Sequence, residues 1–337
     1  MRAFLVVLLS LAGAALLPAA KTLEIYFIDV EGGQATLFVA PSGESFLIDT
    51  GWSGHNSRDA DRIAAAAKHA GVKAIDYLLV THFHEDHVGG VPQLTRKLPV
   101  RNFIDHGESV ERDQRAKELY AAYVEYRAKG NHILAKPGDT LPVKGLEVKV
   151  LTADGDEIES PLPGAGQPNP LCAEDRLQAP DATENARSVG TLITYGSFRA
   201  LDLGDLTWNK EHELACPNNK IGAVDLFIVT HHGADISNSP AIVHAIHPRV
   251  AIMDNGARKG GTPAAFQSIH SAPGIEDIWQ LHYSVAGGKD NNTPDTFIAN
   301  IDEAGDPANW IHVTAHPDGS FTVYNTRNKY SKNYAPK

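Results

Sequence analysis

Three imidazoles and two carboxylates crowd into the six residues His82-Phe83-His84-Glu85-Asp86-His87, just behind the apolar run Tyr77-Leu78-Leu79-Val80. At the end of a buried strand, side chains two apart project to the same side. His82 and His84 therefore share a face, while Asp86 and His87 continue round the turn toward a second ion. Imidazole together with carboxylate suits Zn²⁺ or another borderline divalent metal. Glu85 is expected to be solvated or supporting rather than a ligand.

Two further apolar runs end in the same residue types. Leu201-Asp202-Leu203-Gly204-Asp205 closes a strand with a carboxylate, and Asp205 is the natural bridge between two ions, Asp202 lying inside the strand. Phe227-Ile228-Val229-Thr230 leads into His231-His232-Gly233. Strand ends that each bring ligands to one edge make a stronger pattern than any motif alone. His282 ends Trp279-Gln280-Leu281-His282-Tyr283 and could reach that edge, although a structural histidine with a hydrogen-bonded partner is the commoner outcome. After Asn255-Gly256-Ala257, Arg258 and Lys259 are candidate phosphate contacts, with solvated charge as the alternative.

The elements that must position these residues follow from period and punctuation. Strand-like segments at 23–28, 35–40 and 45–48, separated by Gly32-Gly33 and Pro41-Ser42-Gly43, read as an antiparallel meander. The spacing of Ile63, Ala66, Ala67 and Ala70 predicts a helix over 58–70 stopped at Gly71, and a second helix is expected over 110–129 before Gly130. The alternation repeats, with strands at 146–151, 189–195, 199–203, 226–229 and 250–253 and helices near 207–214, 240–246 and 263–271. Strands then helices, twice, predict an α+β chain folded as an αββα sandwich, two mixed sheets face to face with helices outside. The Pro-, Gly- and acid-rich stretch at about 154–185 is too long for a plain connector and reads as an insert near the site. A strand-rich tail follows from about 290 to 337.

Composition narrows the class. The chain has 337 residues, 42% of them hydrophobic, and a formal charge of −11, which disfavours an extended nucleic acid without excluding it and leaves room for a single phosphate group. Residues 1–20 carry Arg2, an apolar run from Phe4 to Leu17 and then Pro18-Ala19-Ala20, the shape of a signal peptide cleaved near Ala19 or Ala20, so 21–337 is expected as one exported, secreted or periplasmic, hydrolase domain. Beyond that run no membrane span is expected in the mature chain. In an oxidising compartment Cys172 and Cys216 could pair.

Five segments taken in order, Ile28 to Ala35, Phe46 to Gly51, the histidine cluster, Leu203-Gly204-Asp205 and His231-His232-Gly233, resemble the extracellular hydrolase domain of ComEC-type DNA-uptake proteins and their secreted relatives in the metallo-β-lactamase superfamily. The resemblance covers roughly residues 23 to 285. It implies the metallo-β-lactamase fold and two metal ions: His82 and His84 on the first, Asp86 and His87 on the second, and Asp205 between them. His232 would complete the second site and His231 would face the substrate, though which of the pair is the ligand stays open. Asp49 would support the metal-bearing loop from behind. β-Lactamases, lactonases and glyoxalase-type thiolesterases place another histidine between the cluster and the bridging aspartate. Here that interval offers only His106 and His132 beyond His87, neither in a matching context, and the position resembles the Asn-x-x-Ser of the ComEC-like branch, Asn185-Ala186-Arg187-Ser188.

The expected activity is metal-assisted hydrolysis of a phosphodiester, or of another small-molecule substrate, by a bridging hydroxide. Zinc is the first expectation for both ions and manganese the second, and Asp86 and His231 carry the catalytic roles. A lactam, lactone or thioester suits the same machinery and is the alternative. A binding protein that keeps metal only for structure is the reading from a different class.

Overall fold

The computed structural model describes residues 21–303 and 308–337. The run Met1 to Ala20, read above as an export signal, lies outside the described residues. Among the described residues no helix is long and apolar enough to cross a membrane.

Short apolar strands pair into two mixed sheets. The first runs, edge to edge, through Ser331–Tyr334, Phe321–Asn325, Ile311–Ala315, Leu23–Phe27, Thr36–Val39, Ser45–Ile48, Ile75–Leu79, Val100–Asp105 and Asn131–Leu134. The second runs through Ile298–Asn300, Asp277–His282, Val250–Met253, Leu226–Ile228, Phe198–Asp202, Gly190–Tyr195, Glu147–Ala153 and Thr140–Leu141, with Asp156–Glu157 paired beside Glu147–Ala153. Meander strands are antiparallel, whereas the strands nearest the histidines run parallel: Ser45–Ile48 with Ile75–Leu79 and Val100–Asp105, and Phe198–Asp202 with Leu226–Ile228 and Val250–Met253. Parallel neighbours end at the same edge. The ligand-rich loops therefore meet there.

The central strands of each sheet are buried on both faces, which is why they read as unbroken apolar runs rather than alternating ones. In Ser45–Ile48, Phe46 and Ile48 point into the layer between the sheets, against residues such as Ile193, Ile228 and Trp279. Leu47, of opposite parity, packs outward with Leu78 under Ala60, Ile63 and Ala67 of the helix Arg58–His69. On the other side Phe227 and Met253 face outward against Leu214, Ile242 and Ile269, from the helices Trp208–Ala215, Pro240–Ala245 and Pro263–His270. This is the αββα sandwich.

Three details depart from the expected elements or sharpen them. The helix expected from Val110 starts at Gln114, because the Asp113 carboxylate caps it by accepting from the Ala116 N–H at 2.9 Å and the Val110 N–H is taken by Glu184. The stretch 154–185 is docked along the helix Trp208–Ala215: Cys172 is bonded to Cys216, Asn169 N–H donates to Pro217 O, and Asp175 accepts from Trp208 Nε1 and pairs with His212. With the cysteines at a sequence separation of 44, the crosslink removes about 4 kcal/mol of chain entropy from the unfolded state. The tail adds strands to the first sheet, Ile311–Ala315 pairing antiparallel with Leu23–Phe27.

Candidate metal centre

The loop after Ile75–Leu79, the turn after Phe198–Asp202 and the turn after Leu226–Ile228 bring one ligand atom each of Asp86, His87, Asp205 and His232 within 4.8 Å of one another, all four residues buried. His232 Nε2 lies 3.2 Å from Asp86 Oδ2 and 3.4 Å from Asp205 Oδ1, and His87 Nε2 lies 3.2 Å from Asp205 Oδ2. His82 Nε2 stands 3.9 Å from the same Oδ2 and 3.1 Å from His84 Nδ1. His231 Nε2 approaches the same Oδ2 at 3.3 Å. Asp205 is the carboxylate that His82, His87, His231 and His232 all approach.

Outer partners settle which nitrogen each ring turns inward. Asp49, in the left-handed region at φ 60, sits directly after Ser45–Ile48 and accepts from Thr81 N–H at 2.8 Å and Thr81 Oγ1 at 2.6 Å. Its Oδ2 also lies 2.7 Å from His87 Nδ1, so that nitrogen donates backward and the ring turns Nε2 toward the cluster. Ser188 Oγ accepts from the Asp205 N–H at 3.2 Å and lies 3.5 Å from His82 Nδ1. Ser237 Oγ donates to Leu206 O, so it accepts from His231 Nδ1 at 3.1 Å, and His231 too turns Nε2 inward. His231 and His232 both adopt left-handed backbone, φ 55 and 54, a conformation that costs non-glycine residues about 1–3 kcal/mol each. It is held by hydrogen bonds to Gly204 O and from Gly261 N, and by Asn238 Nδ2 on Thr230 O. Gly260 packs on this turn: a Cβ there would sit 2.0 Å from His232 O.

The electrostatics are those of a cation site. Burial alone would push His87 down, but Asp205, Asp86 and Asp49 override it and hold the ring well above its ordinary value. Burial and Lys259 pull His232 down, yet Asp205 and Asp254 prevail and lift it to about 10. Burial would raise Asp86 and Asp205, but His87 and His232 draw both well below the carboxylate range, with Lys259 assisting at Asp86 and His231 at Asp205. His82 and His231 are pushed down, chiefly by burial. Asp205 Oδ1 is buried without a hydrogen bond. An orphaned oxygen among inward-facing imidazole nitrogens is a donor set that fits a divalent ion.

Of the remaining candidates from the sequence, Ser188 lies behind His82 and Asp205, and Asn185, one turn earlier, leaves its Oδ1 buried and unbonded. Asp202 sits under the bridging turn, taking Gln34 Nε2 and the Gly204 N–H. The structure does not bring His282 to the cluster, because its Nε2 bonds Asp29 Oδ1 at 2.7 Å. Nor does it bring Arg258, which turns outward to Glu303 with 73% of its side chain exposed. Lys259, its neighbour, turns inward and donates to Asp86 Oδ2. His106 bonds Glu184 and His132 bonds Asp105, each at 2.9 Å, so neither stands at Asp205.

Sequence reasoning passed over three acids. Asp254, 3.4 Å from His232 Nδ1, closes the strand Val250–Met253 and carried the same strand-end signal as Asp205. Glu184 clamps the histidine loop through the Phe83 and Val110 N–H groups. Glu211 accepts the N–H groups of Asn238 and Ser239, both at 2.8 Å, and so holds the segment after the paired histidines. Burial lifts Glu211 to about 8. Because its pKa is raised on folding, the unfolded chain ionises first, and the folded state loses stability as pH rises from about 4.5 to 8. Glu211→Gln, neutral throughout, is expected to be less stable than the parent near pH 5, where one of the two N–H bonds is lost. The gap should narrow toward pH 8, as read from melting temperatures across that range.

Residues 29–170 match the profile of the Metallo-beta-lactamase superfamily. The chain is 26% identical over 250 residues to ComE operon protein 3 of Bacillus subtilis (strain 168), an alignment covering 69% of this chain and 28% of that one. It is 24% identical over 237 residues to Recombination protein 2 of Haemophilus influenzae (strain ATCC 51907 / DSM 11121 / KW20 / Rd), covering 70% and 24%. The alignments thus span about a quarter of each of these curated relatives. Among solved structures it resembles the metallo-beta-lactamase fold protein YhfI from Bacillus subtilis, with a TM-score of 0.46 and 12% identity over 77% of this chain and 96% of that one. The profile match takes in Asp49 and the whole histidine loop, and with two helix-covered sheets converging on that loop the chain carries a metallo-β-lactamase superfamily domain.

Proposed function

We propose that this protein is an exported dinuclear metallo-hydrolase whose substrate is a phosphodiester. The observation that carries the reading is Asp205, whose Oδ2 is approached by His82, His87 and His231 and whose Oδ1 is approached by His232, with His84 beside His82 and Asp86 beside His87 and His232. When bound, two divalent ions, zinc or in second place manganese, would supply Lewis acidity and lower the pKa of coordinated water. The side chains do the rest. Asp49 keeps the His87 proton on Nδ1. His231, its Nδ1 proton held against Ser237, offers Nε2 to take up a proton and return it to the leaving oxygen. Asp86 shares the charge of Lys259 at the cluster's open side.

Phosphodiester is preferred over lactam, lactone or thioester because neither His106 nor His132 stands where those enzymes place a further histidine. The likeness to ComE operon protein 3 and Recombination protein 2 supports a substrate related to nucleic acid, while the charge of −11 favours a short diester over a long strand. The bonded Cys172–Cys216 pair supports an oxidising compartment, in keeping with export. The test is turnover of bis-p-nitrophenyl phosphate beside nitrocefin by metal-loaded protein, with His84→Ala as control. Diester cleavage that the control loses is the expected result. Nitrocefin turnover alone would move the reading to cyclic amides, and bound metal without either activity would leave a binding protein.

A further inference from the structure

One side chain at the centre has no part in holding metal and yet is built into place with unusual care. Lys259 donates to Asp86 Oδ2, its ammonium rests 5.0 Å from the centre of the Trp52 ring, and 36% of the side chain is open to solvent. The turn that carries it is pinned on every side. Gly256 N–H donates to Lys259 O and Gly261 N–H to His232 O, both at 2.9 Å. Asn255 Nδ2 ties the turn to His282 O at 2.8 Å. Backbones also meet across it, for a Cβ on Gly32 would lie 2.8 Å from Gly256 N and one on Gly256 would lie 2.9 Å from Glu31 O. A surface lysine normally keeps its rotamer freedom. This one is aimed.

We infer that Lys259, steadied by Trp52, forms an anion-recognition subsite beside the metal centre, binding a non-bridging oxygen of a substrate that is negatively charged next to its scissile bond. The inference rests on the phosphodiesterase reading and deepens it. An ammonium within reach of Asp86 and partly open to water lies at the boundary between cluster and solvent, where a charged substrate oxygen would arrive. In a chain of net charge −11, a cation held at that boundary counters the field that otherwise repels an anion. Its neighbour Arg258 points away, to Glu303. A neutral ester or amide would have no use for the subsite.

The test uses the full chain loaded with metal. Binding of inorganic phosphate is measured by calorimetry and by tryptophan fluorescence, and kinetics are measured on bis-p-nitrophenyl phosphate and on neutral p-nitrophenyl acetate. Lys259→Met is expected to weaken phosphate binding and raise the diester KM by about tenfold or more at matched metal occupancy, a larger loss than any it causes in acetate hydrolysis. Lys259→Arg should recover most of the affinity, Trp52→Phe should remove the fluorescence response, and Arg258→Ala should behave as the parent. Phosphate affinity and diester KM unchanged in Lys259→Met, with the parent cleaving the diester, would overturn the role of Lys259 alone. A parent that turns over nitrocefin but neither binds phosphate nor cleaves the diester would overturn the phosphodiesterase reading and this inference with it.

Discussion

Asp205→Asn is expected to abolish hydrolysis and to lower the metal content of both positions together, from about two ions per chain toward none. The substitution preserves volume and one acceptor oxygen, so what it removes is the charge shared between the two histidine groups. His87 Nε2 and His231 Nε2 lie 3.2 and 3.3 Å from Oδ2, His82 Nε2 lies 3.9 Å from it, and His232 Nε2 lies 3.4 Å from Oδ1. Loss of a shared Lewis-acid ligand is worth several kcal/mol at the transition state, on the order of a thousandfold in rate. A ligand that served one position only would leave the other ion bound. Elemental analysis beside the rate therefore decides between a shared and a private carboxylate, and one ion retained at parental affinity would refute the bridge. The His87 and His232 pKa values, held up in part by Asp205, should fall in the variant.

The convergence of the histidine cluster with Asp205 and His232, and the sandwich that presents them, were legible because each depends on local sequence. A buried parallel strand writes itself as an apolar run such as Phe227-Ile228-Val229, and the residues just past the end of the run are the ones that reach the edge. The support for these residues is another matter. Glu184 takes the Phe83 N–H from 101 positions away and Glu211 takes that of Asn238 from 27. A buried acid satisfied by backbone N–H groups leaves no spacing pattern, because its partners are set by the packing of loops. Asp254 was legible in principle, as a carboxylate at a strand end, but its partner His232 lies in the turn after the neighbouring strand. The pair Arg258 and Lys259 shows the limit plainly. Two adjacent cations look alike in sequence, and only the turn between Asn255 and Gly261 sends one to Glu303 and the other to Asp86. His282 met the commoner of its two expectations: its strand does reach the sheet edge, but Asp29 stands opposite and takes its Nε2, as for a structural histidine.

Asp49 gives the second large effect, and two substitutions there separate stability from metal binding. The side chain is fully buried, and burial raises its carboxyl above the usual range even though His87 and Thr81 pull it down. Asp49→Ala strands the Thr81 N–H and the His87 Nδ1 in a dry site and is expected to cost about 3–5 kcal/mol of stability. Metal affinity should fall about 10–100-fold with it. Asp49→Asn keeps the shape and an oxygen for the Thr81 N–H, but it can set an amide NH₂ against His87 Nδ1. That reverses the ring's tautomer and leaves a hydrogen on Nε2, the atom 3.2 Å from Asp205 and His232. Asparagine should therefore spare much of the melting temperature and yet lower metal affinity as far as alanine does, with chelator competition and thermal melting as the paired measurements. If asparagine binds metal like the parent, the carboxylate does not set the His87 tautomer, and the second metal position must be organised from the side of His232 and Asp254.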